Sequence, residues 1–564
     1  MFKPNKSHTQ TEAFAFGPHL SDQKRQQLEE SEEYQFYQLI FRQIPEEEFA
    51  GLYSEAGSRP NAPVNSLVAA LILLHKRGWT YRELFDHIDF DLKTRTALGL
   101  WDLETTPFSP ATLFNFQQRL AAYWVRTGEN LLERVFDALT QDQLVALELE
   151  ADIQRADSFL AASNIRDYSR LQLLIEVVQR FVRVLSDAEQ AAVAYRVESY
   201  MGQSSGQYLY RLDAEALPDE LAQLGPIYQH LLERFEAAYG ETEIYRILQR
   251  VYHEHFAEVK TKVQVRPAEE LHSGCLQSPD DPDATYRQKG TQESRGQVIH
   301  VAETCHPDNQ LNLITDVAVV PNTTEDSVIL ADRVESMQEK TPELAELHTD
   351  AGYASDATDE TLQDTEITLI HTAIKGRKAA VPLTITAREE GGYQVTCPEQ
   401  TVDAQRTPKG WKAEFAWAIC AECPVQDQCS TIAGKAARRW YFNEKVAQRH
   451  ERWRRWAALP EECQTLRPNV EATVREMQGA MVNGKLKVRG AFATARYACL
   501  RAIGVNFGRI SRFLSDPETD RTLASLISSG LSVMFRIIQH VSPRKEVQRW
   551  MRRKTGFFLP LGAF

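Results

Sequence analysis

At 564 residues, with 43% hydrophobic and 25% charged residues, the chain has a globular composition and is too long for a single core. It holds no run of about 18 uninterrupted apolar residues, and its polar start, Met1-Phe-Lys-Pro-Asn-Lys6, lacks a signal peptide's apolar segment. These features argue against a membrane protein and for a cytoplasmic one, whose eight cysteines are thiols or metal ligands rather than disulfides. The formal charge of −14 is unevenly spread: 25 Lys and Arg face 10 Asp and Glu from residue 435 onward, against 39 and 68 before it. A chain divided in this way can offer phosphates a basic face while remaining acidic overall.

Residues 25–140 read as helical. Thr80 is placed to cap a helix over 80–87, and Ser109 caps another with Pro110 at its first position. Such successive short helices fit either a helix-turn-helix-like domain or a simple bundle. Residues 147–157 alternate apolar and polar and predict a strand, and 166–259 turn helical again. Residues 298–302 and 313–320 predict a hairpin, 323–339 a helix, and 344–349 and 367–374 two further strands. Aromatics, prolines and clustered cysteines break the pattern over 376–435. A basic, aromatic stretch follows at 436–456, then helix around Glu471, an apolar helix at 522–539 and a basic end.

The order predicts an α/β protein with a mixed, ribonuclease-H-like sheet. The units expected are a helical N-terminal domain (1–140), a first strand (141–165), a large helical insert (166–262) and further core strands (263–376). A small Cys-rich β insert (377–435), a basic segment with a helix (436–514), and a C-terminal helix and tail (515–564) complete the chain.

Three acidic residues stand in settings suited to a metal. Asp157 closes an alternating run, Asp350 follows a short strand in His-Thr-Asp-Ala-Gly-Tyr (348–353), and Glu471 sits in Leu-Arg-Pro-Asn-Val-Glu (466–471). Hard divalent cations take oxygen ligands, and two metals close together can stabilise the attacking and leaving oxygens of a phosphodiester. The competing reading is three acids that cap helices or face solvent, with Glu476 the rival for third place. Gly352 is expected to turn the chain through a positive φ, and Tyr353 to pack beside it.

Cys397, Cys420, Cys423 and Cys429 offer four thiolates, two at C-x₂-C spacing, which suits a closed structural Zn²⁺ site or else buried thiols. Arg438, Arg439, Arg449, Arg452, Arg454 and Arg455 interleave with Trp and Tyr, as DNA-contacting residues do. The alternative is an exposed helix whose Trp453 and Trp456 face inward. Arg549, Arg552, Arg553 and Lys554 fit a further phosphate contact or a solvated tail equally well.

With these residues in view, the chain resembles the DDE transposases of bacterial insertion sequences, most closely the eleven-eighty-two group. Gly57-Ser-Arg-Pro60, Tyr81-Arg-Glu-Leu84 and Ser109-Pro-Ala-Thr112 resemble that family's N-terminal domain. Ala156-Asp-Ser158, Asp350-Ala-Gly-Tyr-Ala-Ser355 and Arg467-Pro-Asn-Val-Glu471 resemble its three catalytic blocks. Asp280-Asp-Pro-Asp-Ala284 resembles the block before the central hairpin, and Asn506 to Arg509 the helix after the third acid. The family often has a Tyr before the Arg of the third block and a Lys after its Glu, where this chain has Gln464 and Gln478. Arg475 or Lys485 would then take over the DNA contact, beside Arg467.

The resemblance implies an enzyme that binds terminal inverted repeats in double-stranded DNA, cleaves strands and joins them to a target. It implies two Mg²⁺ per site, with Mn²⁺ able to substitute, held by Asp157, Asp350 and Glu471, and a homodimer or larger assembly on DNA ends. The rival expectations are a non-catalytic DNA-binding regulator and a nuclease that cuts without joining.

Overall fold

Capping residues set the helices of the N-terminal third. α1 (Val64–Arg77) is buried along most of its length and ends on Gly78, whose φ of 69° glycine adopts without strain. α2 (Tyr81–Phe90) opens on a capping box between Thr80 and Glu83. α3 (Pro110–Thr127) opens on the Ser109 cap, with Pro110 at its first position. Both starts are as the sequence predicts. α4 (Leu131–Leu147) follows. The computed structural model describes residues 1–526 except 10–14, 55–59, 260–261, 356–357, 359–360, 363–364, 373–380, 382, 389–390, 462–465, 520–521 and 523–524. Among the described residues no helix is long and apolar enough to cross a membrane.

The strand expected at 147–157 is displaced. Leu144 and Leu147 continue the helical spacing of Val135, Phe136 and Leu139, so α4 runs on to Leu147 and stops at Glu148, which has a φ of 55°. β1 therefore spans Ile153–Ala162, and Asp157 lies mid-strand rather than at a strand end. Next come β2 (Thr285–Lys289), β3 (Gln292–Thr304), β4 (Ile314–Pro321), α5 (Asp326–Lys340), β5 (Glu346–Asp350) and β6 (Thr368–Thr372). β3 pairs antiparallel with β1, β2 and β4, whereas β5 runs parallel to β1, and β6 parallel to β5. The result is the expected α/β class, a mixed sheet with helices on both faces.

Because side chains alternate along a strand, β1 serves two cores. Ala156 faces α5, where Leu330, Val334 and Met337 pack with Ala302 and Leu347. Phe159 and Ala161 face the opposite layer, formed by α1 to α4 together with two C-terminal helices. After α6 (Glu444–Ala458), these are α7 (Val470–Gln478) and α8 (Ala491–Leu514). One continuous apolar cluster joins Leu67, Leu71 and Phe136 to Phe159, Ile299, Leu500 and Ile503. Asn506 of α8 clamps the start of β4: its Oδ1 accepts the Ile314 N–H at 2.8 Å and its Nδ2 donates to the Ile314 carbonyl at 2.9 Å.

The helical insert between β1 and β2 has its own core around Leu174, Phe181, Tyr228, Leu231 and Leu248. The Asp280–Asp283 run fastens it to the rest. Arg180 donates to both oxygens of Asp280 at 2.9 and 3.0 Å; Asp281 accepts from Ser163 Oγ and, at 2.9 Å, from the Gly490 N–H; Asp283 accepts the Ala491 N–H at 3.1 Å. The Cys-bearing region folds into a three-stranded and a four-stranded sheet sharing a core of Leu383, Ile385, Val395, Phe415 and Phe442. The helix expected at 522–539 extends past the described residues. Gly57–Arg59, Gln464 and the C-terminal arginines and Lys554 lie outside them altogether.

Candidate active site

The parallel register of β1 and β5 pairs Arg155 with His348, so two residues further on Asp157 and Asp350 share one row of the sheet. α7 lies over that row with Glu471 in its first turn. Arg467, just before this helix, touches all three acids. Its Nη2 lies 2.8 Å from Asp157 Oδ2 and 3.8 Å from Asp350 Oδ2, and its Nη1 lies 3.9 Å from Glu471 Oε1. Sequence-distant residues 157, 350, 467 and 471 thus meet at one place.

Three carboxylates share this one guanidinium. Burial pushes the Asp157 carboxyl above its ordinary range, Arg467 and the Ser158 N–H oppose the rise, and Asp350 and Asp326 add to it. Glu471 remains open, with 59% of its side chain exposed. The donor set is hard oxygen with a deficit of positive charge, which fits a divalent cation. As the side chains stand, no three His, Cys, Asp or Glu among the described residues are gathered closely enough to hold an ion; the Arg467 guanidinium stands among these acids instead.

Behind Asp350, the expectation for Gly352 needs correction, because its φ is not positive. What the glycine spares is crowding: a Cβ there would stand 2.9 Å from Asp350 Oδ1 and 3.0 Å from Asp326 Oδ2, and one or both carboxylates would have to shift. Asp326, at the start of α5, accepts a hydrogen bond from Ser158 Oγ at 2.5 Å. Tyr353 is fully buried, with its hydroxyl 3.0 Å from His300 Nδ1. Sequence reasoning missed Asp326 and His300. The only trace of Asp326 was its place in a polar run, Thr323-Thr-Glu-Asp-Ser327, that also reads as a helix start.

The rival third acid, Glu476, is engaged by Arg509 at 2.7 Å and Arg512 at 2.9 Å. Of the basic residues singled out, Arg438 is spent on Thr431, Arg439 pairs with Glu414 and Arg454 with Glu451. Lys485 donates to the Ile165 carbonyl and Asp167, each at 3.2 Å. Arg449 and Arg475 are exposed on α6 and α7, Arg452 is half-buried, and the side chain of Arg455 lies outside the described residues. Trp453 and Trp456 pack edge to face, their ring centroids 5.6 Å apart.

The four expected cysteines line one cleft with Phe415, Thr431 and Arg438. Burial, and then Cys397, push the Cys420 thiol upward; Arg438 opposes this, while Cys429 and Cys423 add to it. Soft thiols suit Zn²⁺ better than an oxygen-seeking ion, but as they stand these four are not gathered closely enough to hold one. Cys275, Cys305 and Cys499 are buried and outside disulfides, consistent with packing.

The chain matches two family models. The Transposase DDE domain covers residues 392–511, which include the four cysteines, Arg467 and Glu471. The Transposase domain (DUF772) covers residues 23–119, the helices through most of α3. Asp157 and Asp350 fall outside both segments. No curated protein and no solved structure matches the chain.

Proposed function

The chain is a DDE transposase of insertion-sequence type, and from that premise we propose that Asp157, Asp350 and Glu471 form its active site. An enzyme of this family acts on DNA and depends on a divalent metal, generally Mg²⁺. The finer reading is two Mg²⁺ ions, replaceable by Mn²⁺, held by these three carboxylates. A divalent ion at such a site supplies charge stabilisation for the attacking and leaving oxygens of a phosphodiester.

The residues themselves have separable tasks. Asp157 and Asp350, fixed on adjacent parallel strands, define the place of reaction. Glu471, exposed at the start of its helix, completes the donor set from the side open to DNA. Arg467, its guanidinium released from the acids, donates N–H groups to the oxygens of the phosphate under attack. Most of the catalytic work is then positioning and electrostatic stabilisation. The observation that carries this reading is the single guanidinium shared by acids from β1, β5 and α7.

We read the sheet, with β4, β3, β1, β5 and β6 in that order, as ribonuclease-H-like, and the chain as closest to the eleven-eighty-two group. The substrate is the pair of terminal inverted repeats, with the helices of residues 25–140 reading DNA and the acting form a homodimer or larger. Location is cytoplasmic, with the chromosome. Cys397, Cys420, Cys423 and Cys429 hold a structural Zn²⁺. Purified protein should then carry about one zinc per chain by elemental analysis, less in Cys423→Ser; a zinc-free, fully folded parent would sink that part.

The central test is cleavage and joining of a labelled duplex carrying the DNA ends that flank the gene, with Mg²⁺ or Mn²⁺. Products that need metal and vanish in Glu471→Gln support the site. Cleavage surviving in the variant would move the third acid elsewhere. Cleavage without joining would make the protein a nuclease, and binding without cleavage a regulator.

A further inference from the structure

Beside the acid row lies a second polar cluster that the chemistry above does not use. Glu303 of β3 is fully buried and directly opposite Arg155 of β1, at an irregularity between Ala302 and Glu303 in the pairing with β4. Such irregularities re-aim a side chain. The carboxylate accepts from Arg155 Nε at 2.7 Å, from Thr473 Oγ1 at 2.6 Å and from Arg509 Nη1 at 2.7 Å. Arg155 extends its Nη1 to the Leu466 carbonyl at 2.7 Å, and Arg509 extends its Nη2 to Thr473 Oγ1 at 2.5 Å.

The sequence positions give these bonds their meaning. Leu466 immediately precedes Arg467, and Thr473 lies two residues after Glu471. Glu303 therefore grips the segment bearing Arg467 and Glu471 from both ends and ties it to the strand that carries Asp157. For stability alone, well-packed apolar side chains serve at least as well as a buried ion cluster, which must overcome a large desolvation cost. What the cluster adds is direction, because each hydrogen bond fixes one atom of α7, or of the turn before it, relative to β1.

We propose that Glu303 is a positioning residue for DNA cleavage, setting Arg467 and Glu471 over Asp157 through Arg155 and Thr473. The inference rests on the reading of Glu471 as the third acid. A misplacement of about 1 Å at a reacting group can cost on the order of a hundredfold in rate, so loosening the grip should slow chemistry without weakening DNA binding.

The test uses full-length Thr473→Val, Thr473→Ser, Glu303→Gln and Glu471→Gln. Three readouts are taken: single-turnover cleavage at saturating end DNA, Kd for that DNA, and the urea midpoint. Thr473→Val should cleave about tenfold slower and Glu303→Gln slower still, with Kd changed less than about twofold. Thr473→Ser, which keeps the hydroxyl, should restore the rate. A Thr473→Val rate within about threefold of the parent, or a Thr473→Ser protein as slow as Thr473→Val, overturns the proposal. The Thr473 pair decides even where Glu303→Gln fails to fold. Undiminished cleavage by Glu471→Gln would overturn the assignment of the third acid, and the inference with it.

Discussion

On one face of β1, two clusters of arginine and carboxylate begin two residues apart, one short of positive charge and the other balanced. Around Asp157, three acids share the single guanidinium of Arg467, and the outermost, Glu471, is 59% exposed. Around Arg155, the fully buried Glu303 holds two arginines, of which Arg509 also pairs with Glu476. The first cluster lacks positive charge and lies open to ligands that could bring it. The second is closed, internally satisfied and tied to backbone. For the role proposed above, taking up cations and then meeting a polyanion, the first cluster gains from having its movable charges held by neighbours that do not move.

Asp157→Asn and Glu303→Gln should separate the two clusters most sharply. Asp157→Asn should abolish cleavage, with a loss of about a thousandfold or more, as expected when charge stabilisation at the reacting atoms is removed. Its thermal midpoint should stay or rise, because burial already disfavours the ionised carboxylate there. Glu303→Gln should lower stability by roughly 3 kcal/mol, since it leaves the buried Arg155 guanidinium without its carboxylate and takes one of two carboxylates from Arg509. Equal stability losses in both variants would erase the distinction between an open and a closed cluster.

Arg467→Ala gives a smaller effect and a direct probe of the charge deficit. In DNA-free protein, removing the cation from among the acids should tighten Mn²⁺ binding by about tenfold, one 1.4 kcal/mol step. Free Mn²⁺ measured by electron paramagnetic resonance would report it. Weaker binding would mean that the guanidinium organises the acids rather than competing for them.

The sequence displayed these clusters unequally. Asp157, Asp350, Arg467 and Glu471 were legible because each sits in a short context that speaks for it, such as Asp-Ala-Gly-Tyr or Arg-Pro-Asn-Val-Glu. Thr80 and Ser109 declared their helices through capping chemistry that is local by nature. Glu303 declared nothing: it is one acid at the end of an apolar strand, and its partners come from residues 155, 473 and 509. Asp157 was misplaced along its strand because residues 147–157 alternate well enough for β structure while their first part completes a helix. Gly352 was singled out for a φ it does not have; what its missing Cβ spares is crowding against two carboxylates. Long-range pairing and steric crowding have no local signature, and those were the features that escaped.

A third buried carboxylate tests what Glu303 gains from its arginines. Glu46 is only 7% exposed, and its oxygens accept the backbone N–H groups of Asn5 at 2.9 Å and Asn65 at 3.3 Å. Burial pushes its carboxyl up to about 7 from an ordinary 4.5, and these N–H groups only partly offset the rise. The folded protein therefore keeps a proton over a range where the unfolded chain has released it. Stability from this linkage is fully present below 4.5 and is lost as pH rises through about 7. Glu46→Gln stays neutral throughout and should escape that loss. The thermal midpoint of the variant should gain a few degrees on the parent between about pH 5 and about pH 8 and then level off. The comparison cancels every other titrating group common to both proteins, so a constant gap would mean that Glu46 is already ionised in the fold and that backbone N–H groups alone suffice to hold a buried carboxylate charged.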